Sequence, residues 1–133
     1  MQESDKQLIT KAIEVAGRAY APYSKFHVGA ALVSSDGTIF CGCNVENISY
    51  GLTVCAERNA VFAAVAAGHR DFSKVVVVAD TAEPPSPCGA CRQVLAEFNP
   101  DLEVVLANFH GKVERFRLGE LLPRATKGIL DRE

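Results

Sequence analysis

The sequence predicts a single α/β domain, residues 1–133, in which helices cover a mixed β-sheet of about five strands. Three observations predict it. Helical and strand-like patterns alternate along the chain in the order helix, hairpin, helix, strand, helix, strand, strand. Val75 to Val78 is an unbroken valine run, the pattern of a strand buried on both faces. The chain has 133 residues, 48% hydrophobic and 23% charged, enough for one core without disulfide staples. It shows no linker, repeat or low-complexity tract.

The first helix is expected over about Asp5 to Tyr20, where Leu8, Ile9, Ala12, Ile13, Ala16 and Ala19 recur at helical spacing. Ser4 with Gln7 fits a capping box, and Ala21-Pro22-Tyr23 breaks the helix. Strands at about Val28–Ser34 and Thr38–Val45 flank Ser34-Ser35-Asp36-Gly37, which carries the Asp-Gly pair favoured in tight hairpins. Asn44 to Thr53 reads as a loop. Cys55 to Ala67 is an alanine-rich helix, apolar on most sides and so expected to be central and buried, with Gly68 as its stop. Lys74–Ala79 is the valine strand. A proline-rich loop, Thr81–Pro87, leads to a helix over Cys88–Phe98, which Asn99-Pro100 ends. Glu103–Phe109 and Lys112–Leu118 read as strands about His110-Gly111, and the tail beyond Pro123 is polar.

Charge and composition narrow the function. A net charge of −2 gives no overall attraction to nucleic acid. The best basic cluster, Lys112, Arg115, Arg117 and Arg124, reads as a solvated strand face. No apolar run approaches the ~20 residues of a membrane span. The polar start, Met1-Gln2-Glu3-Ser4-Asp5, does not fit a signal peptide. Five cysteines cannot all pair within one chain, so a cytoplasmic location and a metal or catalytic role are expected for them.

Pro87-Cys88-Gly89-Ala90-Cys91 is a C-x-x-C at a loop-to-helix junction, where free N–H groups and the helix dipole favour thiolate. Alone it fits a redox pair, half of a zinc ribbon or two buried thiols. Cys55 opens another helix and supplies a third thiol. Three thiolates suit a catalytic zinc with one open position; a closed structural site would need a fourth ligand, such as Cys41 or Cys43. Those two alternate on a strand and read equally well as small buried thiols. Glu57, two residues after Cys55, could simply complement the helix dipole. Beside an open zinc it becomes a proton carrier for water whose pKa the metal lowers to about 7.

The chain resembles the zinc-dependent cytidine deaminases of the small tetrameric type. The resemblance rests on Cys55-Ala56-Glu57-Arg58-Asn59-Ala60, Pro87-Cys88-Gly89-Ala90-Cys91-Arg92-Gln93, Ala21-Pro22-Tyr23-Ser24-Lys25-Phe26 and Asn44-Val45-Glu46-Asn47, in that family's order. It implies a three-layer α/β/α fold and one Zn²⁺ per subunit, held by Cys55, Cys88 and Cys91. Glu57 would shuttle protons. Asn44 and Glu46 would bind the sugar hydroxyl, Phe26 would pack on the base, and backbone near Ala56 would meet the base carbonyl. Tyr50 would lie near a neighbouring subunit's site. Arg58 and Gln93 would support the thiolates, whose three charges leave Zn²⁺ at net −1. The implied reaction is hydrolysis of cytidine or deoxycytidine to the uridine product and ammonia in pyrimidine salvage, by a homotetramer acting on a small nucleoside. Alternatives are another aminated pyrimidine, such as blasticidin S or a modified cytosine nucleoside, and a non-catalytic zinc-stabilised binding module. A nucleic-acid deaminase would generally carry His in place of Cys55. One departure is visible. After Leu121-Leu122-Pro123 the family usually has an aromatic that reaches a neighbour's base, whereas Arg124-Ala125-Thr126-Lys127-Gly128 has none.

Overall fold

The computed structural model describes residues 3–127, with side chains from Asp5 onward. Five strands form one sheet in the order β2-β1-β3-β4-β5. They are β1 (Val28–Ser34), β2 (Ile39–Cys43), β3 (Phe72–Ala79), β4 (Glu103–Asn108) and β5 (Val113–Arg117). β1 pairs antiparallel with β2 and β3, β3 runs parallel to β4, and β4 is antiparallel to β5. The parallel pair requires a crossover, which helix α3 (Gly89–Phe98) supplies. The expected mixed sheet of about five strands, and the expected order of elements along the chain, are therefore present.

Alternation along the central strands builds two cores. Val76 and Val78 of β3, with Val105 and Ala107 of β4, pack against Leu8 and Ala12 of helix α1 (Glu3–Ala16). Val75, Val77, Val104 and Leu106 face the opposite way, toward Ala60, Val61 and Ala64 of helix α2 (Ala56–Ala66) and Leu95 of α3. These two cores produce the three-layer α/β/α arrangement. The Ser4–Gln7 cap lies outside the described side chains.

Several boundaries move for local reasons. α1 stops at Ala16, ahead of the expected break at Pro22. Tyr20 instead bridges to Val45 at the sheet's end. The loop before α2 contains a short 3-10 turn, Tyr50–Leu52. A further turn of helix, α4 (Leu118–Leu121), follows β5 where a strand end was expected. Glu120 accepts a hydrogen bond from the Arg117 N–H there at 2.7 Å. The expectation of a central, buried α2 holds for one face only: Phe62 is 51% and Val65 38% exposed, because no layer of the described residues lies over the other side.

Asp5 anchors α1 to the sheet. Its carboxylate accepts from Lys74 Nζ of β3 at 2.6 Å and from Arg115 Nη2 of β5, and its side chain is 2% exposed. Burial opposes its charge, but the bonds from Lys74 and Arg115 outweigh burial and hold its pKa below 3.8. A depressed carboxyl pKa contributes stability above the unfolded value that is lost as pH falls through the folded value. Asp5→Asn should therefore cost about 2–3 kcal/mol at pH 7, with the difference from wild type shrinking below pH ~4. Urea unfolding at both pH values measures it.

Candidate active site

The cleft opens where the carboxyl end of β3 meets the start of β1 and the N-termini of α2 and α3. Cys55 and Cys88 are the N-cap residues of α2 and α3, both in extended backbone. Their carbonyls accept the first intrahelical bonds, from Asn59 N and Arg92 N. Two helix N-termini thus face one another, and their unpaired N–H groups favour negative charge between them. Neighbouring elements fix each cap. Asn59 Nδ2 donates to the Cys43 carbonyl at 2.8 Å, fastening the first turn of α2 to β2. Arg92 Nε donates to the Pro87 carbonyl at 2.8 Å, and its Nη1 to the Leu121 carbonyl, also at 2.8 Å.

Cys55 Sγ lies 3.7 Å from Cys88 Sγ, which lies 3.4 Å from Cys91 Sγ. All three sulfurs fall within 4.8 Å of one another. Tetrahedral zinc with Zn–S near 2.3 Å needs sulfurs about 3.8 Å apart, so this donor set fits zinc. Cys41 and Cys43 do not join it. They alternate with Gly42, which faces α2, and so lie on the sheet's other side. Cys41 is exposed, not buried as expected of a strand thiol, because β2 is the sheet's edge.

A hydrogen bond from Cys91 pulls the Cys55 thiol down to about 5 despite its burial, and Arg58 adds to this. The same bond, with burial, pushes Cys91 up. Arg58 Nη2 donates to Cys55 Sγ at 3.5 Å, while its buried Nε has no hydrogen-bond partner. The bond to Cys55 keeps the guanidinium more firmly charged than usual. A cation so placed offsets the excess negative charge of three thiolates. Arg58→Ala should lower zinc affinity or turnover roughly 10–100-fold, read by competition with a chromophoric chelator and by steady-state rates. Gln93, expected to share this role, is placed elsewhere: its Nε2 donates to the Ala125 carbonyl at 3.0 Å, tying α3 to the C-terminal segment.

Glu57 sits in the first turn of α2, 5% exposed, and lines the same cleft. Burial raises its pKa to about 7, the range in which a carboxyl can both hold and release a proton. The cleft encloses about 360 Å³, a small-molecule volume. Phe26, Asn44, Glu46, Tyr50, Cys55, Ala56 and Cys88 line it with Glu57. Asn44 spans the gap before β1, accepting from Val28 N at 2.9 Å and donating to the Phe26 carbonyl at 2.7 Å. Glu46 accepts from the backbone N–H of Tyr23 and Ser24 and from the Ser24 hydroxyl. The Ser24 hydroxyl bond holds its carboxylate below the usual range, hence ionised.

Sequence reasoning missed other walls of the cleft: Ser24, Thr53, Val77, Pro85 and Ser86. The proline-rich run before Cys88 was the available signal for Pro85 and Ser86. Thr126 is exposed and is not among the lining residues. Two basic residues of β5 and its turn are engaged by carboxylates within the chain, Lys112 with Glu83 at 2.6 Å and Arg115 with Asp5.

Three thiols that fit zinc, in one cleft with a buried carboxyl, are the arrangement of a metal-dependent hydrolase. The chain belongs to the cytidine and deoxycytidylate deaminase family, whose zinc-binding region matches residues 2–107. A cytidine deaminase of Sporosarcina psychrophila is 53% identical over 121 residues, covering 90% of this chain and 89% of that one. The crystal structure of cytidine deaminase from Burkholderia pseudomallei superposes with a TM-score of 0.88 at 54% identity, covering 93% of this chain and 98% of that one. A blasticidin-S deaminase of Bacillus cereus is 33% identical over 131 residues, covering 92% of each chain. The protein is thus a zinc-dependent hydrolytic deaminase. No helix among the described residues is long and apolar enough to cross a membrane.

Proposed function

We propose that the protein hydrolyses cytidine and deoxycytidine to uridine and deoxyuridine with release of ammonia. Carrying this reading is the buried Glu57 in one small cleft with three zinc-competent thiols and a polar wall of Asn44 and Glu46. Cys55, Cys88 and Cys91 hold the metal. Zinc bound there supplies Lewis acidity that makes water nucleophilic near neutral pH.

The protein's own groups do the rest. Phe26 packs on the pyrimidine, and backbone at Ala56 meets the base carbonyl. Asn44 and the ionised Glu46, each already fixed by backbone partners, offer their remaining acceptor and donor capacity to the sugar hydroxyls. Glu57 takes a proton from the attacking water and delivers it to the pyrimidine N3 as oxygen adds at C4. It then takes the proton of the new C4 hydroxyl and delivers it to the C4 amine. The C4–N bond breaks, ammonia leaves, and the C4 oxygen becomes the uridine carbonyl. Burial matches Glu57 to both transfers, since a carboxyl near pH 7 is a competent base and acid in turn.

The whole chain forms one catalytic domain working in the cytoplasm. Ile48, Tyr50, Leu52 and Phe62 are 84%, 71%, 66% and 51% exposed, an apolar surface that supports a homotetramer with Tyr50 close to a neighbour's cleft. Light scattering should give a mass near four chains. The likeness to a blasticidin-S deaminase gives the second substrate to test. Absorbance assays on zinc-loaded protein with cytidine, deoxycytidine, cytosine and blasticidin S should show turnover of the two nucleosides. Turnover of blasticidin S alone would replace this reading with the alternative.

A further inference from the structure

The loop of residues 80–87 connects β3 to α3. It contributes Pro85 and Ser86 to the cleft wall and ends at Cys88. Its first half, residues 80–84, is not among the residues that line the cleft. The turn between β4 and β5 reaches it at three successive points. His110 Nε2 meets Asp80 Oδ1 at 3.0 Å. Asn108 Nδ2 donates to the Ala82 carbonyl at 2.9 Å. Lys112 Nζ lies 2.6 Å from both carboxylate oxygens of Glu83.

Asn108 is the centre of this arrangement. It is 4% exposed, at the last paired position of β4, directly beside Ala79, where the loop leaves the sheet. Its Oδ1 accepts from the backbone N–H of His110 and of Lys112, both at 2.9 Å. One amide therefore fixes the shape of the β4–β5 turn with its oxygen and holds the loop with its nitrogen. A buried amide so fully used is costly to disturb and admits one geometry.

We propose that the β4–β5 turn is a clamp that sets the cleft's Pro85–Ser86 wall, with Asn108 as its central positioning residue. The inference rests on the deaminase reading above. Cys88 has a separate anchor in the Arg92–Pro87 bond, so the clamp governs the substrate wall more than the metal. Loosening a wall that touches substrate and transition state alike raises KM and spares kcat.

Asn108→Asp isolates the loop arm. It keeps an acceptor for the two turn N–H groups and sets a carboxylate oxygen against the Ala82 carbonyl. In the zinc-loaded full chain, KM for cytidine should rise roughly five- to tenfold with kcat within about twofold. Zinc should stay at one per chain. The ¹⁵N relaxation of the Ala82, Glu83 and Ser86 amides should show new fast motion. An unchanged KM, or a loss confined to kcat, overturns the clamp, as do loop amides as rigid as in the wild type. Should Asn108→Asp fail to fold, the exposed Glu83–Lys112 tie carries the test. Lys112→Met should raise KM about twofold, and Glu83→Lys with Lys112→Glu should restore it. No rise in KM for Lys112→Met overturns the proposal. A wild type that fails to turn over cytidine condemns the substrate reading instead, and the relaxation data then judge the clamp alone.

Discussion

Glu57→Gln, loaded with zinc, is expected to lose roughly 10³-fold or more in kcat for cytidine while keeping its metal and its fold. Glutamine matches the shape of glutamate but can neither take a proton from water nor give one to N3 or the leaving amine. Glu57 is only 5% exposed, so solvent is poorly placed to substitute for its carboxyl. Zinc content should not change, because the three sulfurs stand at the starts of α2 and α3, which Asn59 and Arg92 anchor, and Arg58 donates to Cys55. KM should move only a few-fold, since the residues proposed to grip base and sugar are elsewhere in the cleft. Near-wild-type turnover in a zinc-bound Glu57→Gln protein would contradict the proton-transfer role. Glu57→Asp should fall between the two, a carboxyl with shorter reach.

Gly42→Ala should damage the cleft from outside it. A Cβ at Gly42 would lie 2.4 Å from Ala60 N and 2.5 Å from Ala56 O, both backbone atoms of α2. Neither can swing aside as a side chain would, so α2 must lift from β2. That helix carries Cys55 at its cap and Glu57 in its first turn. Destabilisation of about 3 kcal/mol or more is expected. A loss of zinc affinity of at least ~10-fold should accompany it, because one of three ligands moves with the helix. Gly51→Ala is the control: open space surrounds that position, and stability should stay within about 0.5 kcal/mol of wild type. Equal, small effects at both glycines would show that α2 can move off the sheet without consequence.

Much of this architecture was legible in the sequence because its signals are local. The four valines of β3 announce a strand buried on both faces, and both faces carry a core. Cys55 with Glu57, and Cys88 with Cys91, sit at fixed offsets from helix starts, which made each pair a candidate; the resemblance to the deaminase family is what grouped them into one site. What the sequence concealed depends on approach between distant segments. Asp5 meets Arg115 across 110 positions, and nothing near either residue signals the partner. Gln93 follows the thiols in sequence, yet its side chain is captured by Ala125. Apolar composition in α2 suggested a central, buried helix, but Phe62 and Val65 belong to a face that no described element fully covers. Asn108 gave no signal at all, since its importance lies in three backbone partners that only the fold assembles.

Hydrolysis at this cleft requires an open, thiolate-held zinc beside Glu57. X-ray absorption of the zinc-loaded protein reads the coordination shell directly. Three sulfurs near 2.3 Å and one oxygen near 2.0 Å are expected. Four sulfurs would mean a closed structural site with no place for water, and would contradict the hydrolytic reading.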